Sequence, residues 1–181
     1  MVPRLKEKYR NEVSQALSAR FGYKNPMAIP RVLKVVVSMG IGQADADAAR
    51  LEAAQKQLTQ IAGQVPIVTL AKQAISNFKL RKGNKVGLKV TLRGARMYEF
   101  LDRLISLAIP RVKDFRGLSP SSFDGRGSDN MGLVEQTVFP EVDTTTITFT
   151  QGMNIAIHTS ARSDEEAREL LSQLGMPFRK N

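Results

Sequence analysis

The sequence predicts an α+β domain: a mostly antiparallel β-sheet with helices packed on one face and a polar, basic surface on the other. Two stretches alternate with period two, Leu33, Val35, Val37, Met39 and then Val86, Leu88, Val90, Leu92, as half-buried strands do. Strands cluster in two places with helical patterns between them, unlike the regular βαβ rhythm of a doubly wound sheet. The positions left over by the alternation are Lys34 and Ser38 in one strand and Lys89, Thr91 and Arg93 in the other. These polar and charged positions suit a solvent-facing platform better than a second core.

The elements follow in order. Leu5, Tyr9, Val13, Ala16 and Leu17 recur at helical spacing, and Gly22 is placed to stop that helix. A strand is expected over 32–39. A second helix is expected to open at Asp45 or Asp47, bury Leu51, Ala54, Leu58 and Ile61, and stop at Gly63. Val65–Leu70 reads as a short strand. Lys72–Lys85 reads as a long exposed loop, rich in Lys and Arg and containing Asn77, Gly83 and Asn84. The strand over 86–93 is followed by a helix from Ala95 to Ile109, which Pro110 is expected to end. Periodicity then vanishes over 113–132, where Gly, Ser and Asp predict a long loop that stays mobile until a partner covers it. A hairpin of Thr144–Phe149 with Asn154–Thr159 and a helix capped by Ser163 and Glu166 complete the chain. No internal repeat or linker appears, so residues 1–181 are expected to form one domain.

Composition narrows the function. With 181 residues, 42% hydrophobic and 24% charged, the chain can bury a core and is not expected to be disordered. No apolar run is long enough for a membrane span, so no membrane partner is expected. Zero Cys removes disulfides and thiolate chemistry and fits the cytoplasm. His158 is the only histidine, so neither a metal site nor a catalytic triad is expected, and no cofactor is implied. Gly40 and Gly42 lack the third glycine of a dinucleotide turn, and the segment 81–85 lacks the Lys-Ser/Thr ending of a P-loop. The chain does not read as an enzyme.

Charge points instead to a polyanion. Of 27 Lys and Arg against 17 Asp and Glu, residues 1–90 hold 16 basic and 5 acidic side chains, so the net excess lies in the first half. No acidic residue occurs between Glu52 and Glu99. A solubilising surface would intersperse acids; a field of one sign attracts nucleic acid. Phe78 stands among Asn77, Lys79, Arg81 and Lys82. From the residues alone it can either hold the loop to the core or stack on an unpaired base.

The stretch from Leu58 to Ala74, LTQIAGQVPIVTLAKQA, closely resembles the signature of the bacterial large-subunit ribosomal protein five family. So do Pro3–Lys6, Val36–Gly42, Asn77–Arg81, Val90–Gly94, Pro110–Gly117 and Leu174–Phe178, so the likeness runs end to end. The resemblance implies a structural, non-enzymatic protein of the central protuberance that holds 5S rRNA against the large subunit and its rRNA. Its 5S-facing residues are expected among Lys34, Ser38, Gln64, Lys72, Asn77, Phe78, Lys89, Thr91 and Arg93. The basic turn with Lys79, Arg81, Lys82 and Lys85 is expected to meet peptidyl-site tRNA. The 113–132 segment is expected to meet small-subunit ribosomal protein thirteen across an intersubunit bridge. Ser38 departs from the asparagine usual in the family; a hydroxyl is shorter than an amide and cannot bond bidentately. The rival class is a general nucleic-acid-binding architectural protein, since charge alone does not separate RNA from DNA.

Overall fold

The computed structural model describes residues 2–42, 48–143, 145, 147 and 149–179. Its centre is one antiparallel sheet of five strands, β1 (Val32–Gly40), β2 (Ile67–Leu70), β3 (Lys85–Leu92), β4 (Ser128–Leu133) and β5 (Met153–Thr159), in the order β2-β3-β1-β5-β4. Every ladder is antiparallel. Helices α1 (Arg4–Lys8), α2 (Ser14–Phe21), α3 (Ala48–Ala62), α4 (Gly94–Arg103), α5 (Ile109–Arg111) and α6 (Asp164–Leu174) pack on the face that carries Val35, Val37, Leu88, Val90, Ile155 and Ile157. The α+β expectation therefore holds, with one contiguous core beneath one sheet face.

The first helix is continuous because a wide π turn over Tyr9–Val13 joins α1 to α2. Its apolar residues Leu5, Tyr9, Val13 and Leu17 are each four apart, and in a strict α-helix that spacing drifts about 40° per step around the axis. A π turn takes up the drift and keeps them on the core side. Ala16 is exposed, contrary to expectation. The same device recurs over Leu104–Ala108, between α4 and α5. There the wide turn accommodates Pro110, so the helix runs on to Arg111 instead of ending before the proline.

Other boundaries also move. The expected start of the second helix at Asp45 or Asp47 lies outside the described residues, but Leu51, Ala54, Leu58 and Ile61 are buried as the periodicity requires. Gly63 closes α3 at φ +66°, its N–H donating to Thr59 O. A register shift near Val32 turns Leu33 outward, where the alternation had placed it inside. Strand β2 begins at Ile67 and leaves Val65 exposed. Arg93 lies just past β3, at the N-cap of α4. Gly87 is obligatory in β3: a Cβ there would stand 2.4 Å from Met39 O on the neighbouring strand.

The largest corrections fall in the C-terminal half. Residues 128–132, expected as loop, belong to edge strand β4. They lack an obvious apolar alternation because Asp129 takes an inward position beside Met131 and Leu133, with Ser122 Oγ donating to its Oδ1 at 2.5 Å. Of the expected hairpin of 144–149 with 154–159, residues 144, 146 and 148 lie outside the described residues, and β5 has no edge left for it, one being taken by β1 and the other by β4. The remaining segment, 113–127, is tied down at several points. Leu118 bridges Phe178, the Phe123 and Phe178 rings lie 5.8 Å apart, and the Asp164 carboxylate accepts from the N–H groups of Gly125 and Gly127. Residues 113–127 are the loop the sequence predicts, without a regular strand or helix, and these contacts fasten it to the C-terminal segment and α6. Helix α6 opens as the capping box requires, with Ser163 Oγ accepting from Glu166 N–H, although the Glu166 carboxylate accepts from Arg162 N–H.

Candidate nucleic-acid interface

Among the described residues no layer covers the sheet face opposite the helices, and strand register lays out its side chains in rows. One row runs Ile67, Lys89, Ser38, Asn154, Gly132 from β2 to β4. A second runs Thr91, Val36, Ala156, Asn130, and a third Lys34, His158, Ser128. Lys34, Ser38, Lys89 and Thr91 are therefore brought together on β1 and β3. Lys89 and Arg93 are exposed; Lys34, Ser38 and Thr91 are half-buried. None of the three cations makes an ion pair among the described residues, whose salt bridges are Arg4–Asp102, Arg20–Glu169 and Arg103–Glu141.

Gln64 sits in the α3–β2 connection, half-buried, with Arg96 Nη1 donating to its Oε1 at 3.4 Å. Arg96 lies in the first turn of α4, so Gln64 joins Thr91 and Arg93 at the same end of the β2–β3 pair. Arg96 was not among the residues expected there. A sequence separation of 32 residues hid its proximity to Gln64.

The other expected residues fall elsewhere. Lys72, Asn77, Phe78, Lys79, Arg81, Lys82 and Lys85 lie at the opposite end of β3, whose eight residues span about 24 Å. They form a finger that prolongs the β2–β3 hairpin. Ala71 N–H donates to Asn84 O, Gly83 N–H donates to Ala71 O, and Ile75 and Leu80 exchange backbone bonds. A 3₁₀ turn over Ser76–Phe78 ends at Lys79, which takes the left-handed conformation at φ 52°. Phe78 is 77% exposed at this tip. It is not held in the core, which decides against one of the two roles its sequence context left open. The expected 5S-facing set is thus split between the sheet platform and the finger.

His158 lies on the open face with Nδ1 3.2 Å from Ser128 Oγ. Burial, and then the Lys34 ammonium, hold its imidazole below the usual pKa, with Lys89 acting in the same sense and Asp124 opposing. The group is uncharged at neutral pH. The face offers hydrogen bonds and positive charge without a convergent catalytic set. Among the described residues no cluster of three His, Cys, Asp or Glu could hold a metal ion, and no helix is long and apolar enough to cross a membrane.

Comparison with known proteins decides the family. The profile described as Ribosomal protein L5 matches residues 25–81, and that of the ribosomal L5P family C-terminus matches 85–178. The chain belongs to the ribosomal protein L5 family. Large ribosomal subunit protein uL5 of Thermoanaerobacter sp. (strain X514) is 56% identical over 98% of this chain and 99% of its own length. Proteins of the same description from Alkaliphilus metalliredigens and Rubrobacter xylanophilus are each 55% identical, also over 98% of this chain and 99% of their own lengths. Family membership makes the chain a structural, non-enzymatic ribosomal protein, located in the ribosome within the cytoplasm.

Proposed function

We propose that the chain binds 5S rRNA through the open sheet face and helps hold it in the large subunit. The coarser statement follows from the family: it is a structural constituent of the large ribosomal subunit, associated with rRNA. The observation that carries the finer one is the alignment of Lys34, Ser38, Lys89 and Thr91 on a sheet face that no helix among the described residues covers. Cations there set affinity through phosphates, while hydroxyl groups and the Gln64 amide select among sugar and base edges. Ser38 reaches less far than an asparagine would, so its contact passes through water or is carried by a neighbour.

The finger supplies a second contact, with peptidyl-site tRNA. Arg81 and Lys82 are exposed beside Lys79 at a turn with no acidic side chain between Glu52 and Glu99, and an approaching phosphate relieves their mutual repulsion. Segment 113–127, in contact with Phe178 and Asp164, is the surface offered to small-subunit ribosomal protein thirteen. Replacing Arg81 and Lys82 by Ala separates the sites: tRNA retention on assembled ribosomes falls while 5S rRNA affinity is kept. Collapse of 5S affinity with unchanged tRNA retention would assign the finger to 5S rRNA.

A further inference from the structure

The open face is divided by strand. Its cations stand on β1 and β3, or just past β3 at Arg93. The outward positions of β5 and β4 carry Asn154, Ala156, His158, Ser128, Asn130 and Gly132, none of which is charged at neutral pH. Asn154 is the register partner of Ser38 and so lies about 10 Å, two strand spacings, from Lys89 in the same row. Both Asn154 and Asn130 are exposed, and neither side-chain amide has a hydrogen-bond partner among the described residues. Small residues keep them accessible: Gly132 is the register partner of Asn154, and Ala156 that of Asn130. No carboxylate of these strands competes for them, because Asp129 faces the core. Asp124, whose charge acts on His158, accepts from the N–H groups of Arg126 and Ser128.

We infer that Asn154 and Asn130 are a reading half of the RNA platform, hydrogen-bonding ribose hydroxyls and base edges of a strand whose phosphates lie over Lys34 and Lys89. This rests on the open face being the RNA-binding surface. An amide offers two donors and an acceptor but releases no counterions, so it contributes selectivity without salt dependence. The cations of β1 and β3 hold the polyanion, and β5 and β4 add to the selectivity of Ser38, Thr91 and Gln64 without adding charge.

The test compares the full chain with an Asn154→Ala/Asn130→Ala variant. Binding to labelled 5S rRNA transcript, and to DNA of the same sequence, is titrated at several salt concentrations. The expected result is a roughly 10- to 100-fold loss of 5S rRNA affinity, with DNA affinity and the salt slope unchanged. An Asn154→Val/Asn130→Val variant, which suits a strand and also lacks the amides, guards against a loss caused by misfolding, with thermal melting as the check. If both variants bind 5S rRNA like the parent, or lose RNA and DNA affinity equally, the inference is overturned. If the parent itself does not prefer 5S rRNA over DNA, it is the underlying RNA-binding reading that fails.

Discussion

Replacing Lys89 and Arg93 together by Ala tests the electrostatic half of the interface. They stand four positions apart along extended backbone, about 13 Å. That exceeds the Debye length of about 8–10 Å at moderate salt, so they act as independent charges and their effects add. Each phosphate neutralised adds about 0.7 to 0.9 to the slope of log affinity against log salt, so the double variant lowers the slope by about 1.4 to 1.8. Between 50 and 200 mM salt the parent then loses about tenfold more affinity than the variant. Fluorescence titration of labelled 5S rRNA at four or five salt concentrations measures this directly. Both side chains are exposed and neither joins a described ion pair, so the melting temperature should stay unchanged. An unchanged slope would show that neither cation meets a phosphate, and the placement of RNA over β3 would be wrong.

Phe78→Ala removes an exposed ring that can stack on a base; the expected loss is about 1–3 kcal/mol of nucleic-acid affinity with no change in melting temperature, and a fall in melting temperature at constant affinity would assign the ring to packing. Phe178→Ala should speed hydrogen exchange across 117–127 while β1 and β5 keep their protection, because it removes the ring packed on Phe123; unchanged exchange would mean that the tail does not hold the loop. His158 has a folded-state pKa below its unfolded one, so its protonation opposes folding. Stability is unaffected above about pH 6.5 and declines as pH falls from there toward the folded pKa, where the unfolded chain binds the proton first. His158→Gln should flatten that part of the pH–stability curve, and an unaltered curve would show that other groups carry it.

Much of the fold was legible because most strands and helices bury a periodic face. Leu51, Ala54, Leu58 and Ile61 mark α3, and Leu88, Val90 and Leu92 mark β3 without reference to anything distant. What the sequence hid was pairing. Strand β4 carries a buried Asp and two outward residues, Asn130 and Gly132, that read as loop; only its ladder with β5 makes it a strand. The hairpin expected over 144–159 lacked a free strand edge for the same reason, because local pattern cannot tell that β1 and β4 already fill both edges of β5. The platform was visible as parity, since Lys34 and Ser38 on one strand and Lys89 and Thr91 on another fall opposite their apolar neighbours. That Asn154 stands beside Ser38, or that Arg96 reaches Gln64, depends on contacts between residues far apart in the chain. Phe78 shows the complementary limit: composition could not choose between packing and stacking, whereas its position at the tip of a hairpin finger excludes the core.

Selectivity for 5S rRNA is what separates the proposed interface from a merely cationic surface. The most direct measurement is the equilibrium affinity of the purified chain for 5S rRNA, set against a DNA duplex of equal length at one fixed physiological salt concentration. Charge alone predicts comparable affinity for both polyanions. The interface predicts a clear preference for 5S rRNA that is reduced when Thr91 and Gln64 are both replaced by Ala. Equal affinity for the two nucleic acids, or a preference undiminished by those substitutions, would contradict it.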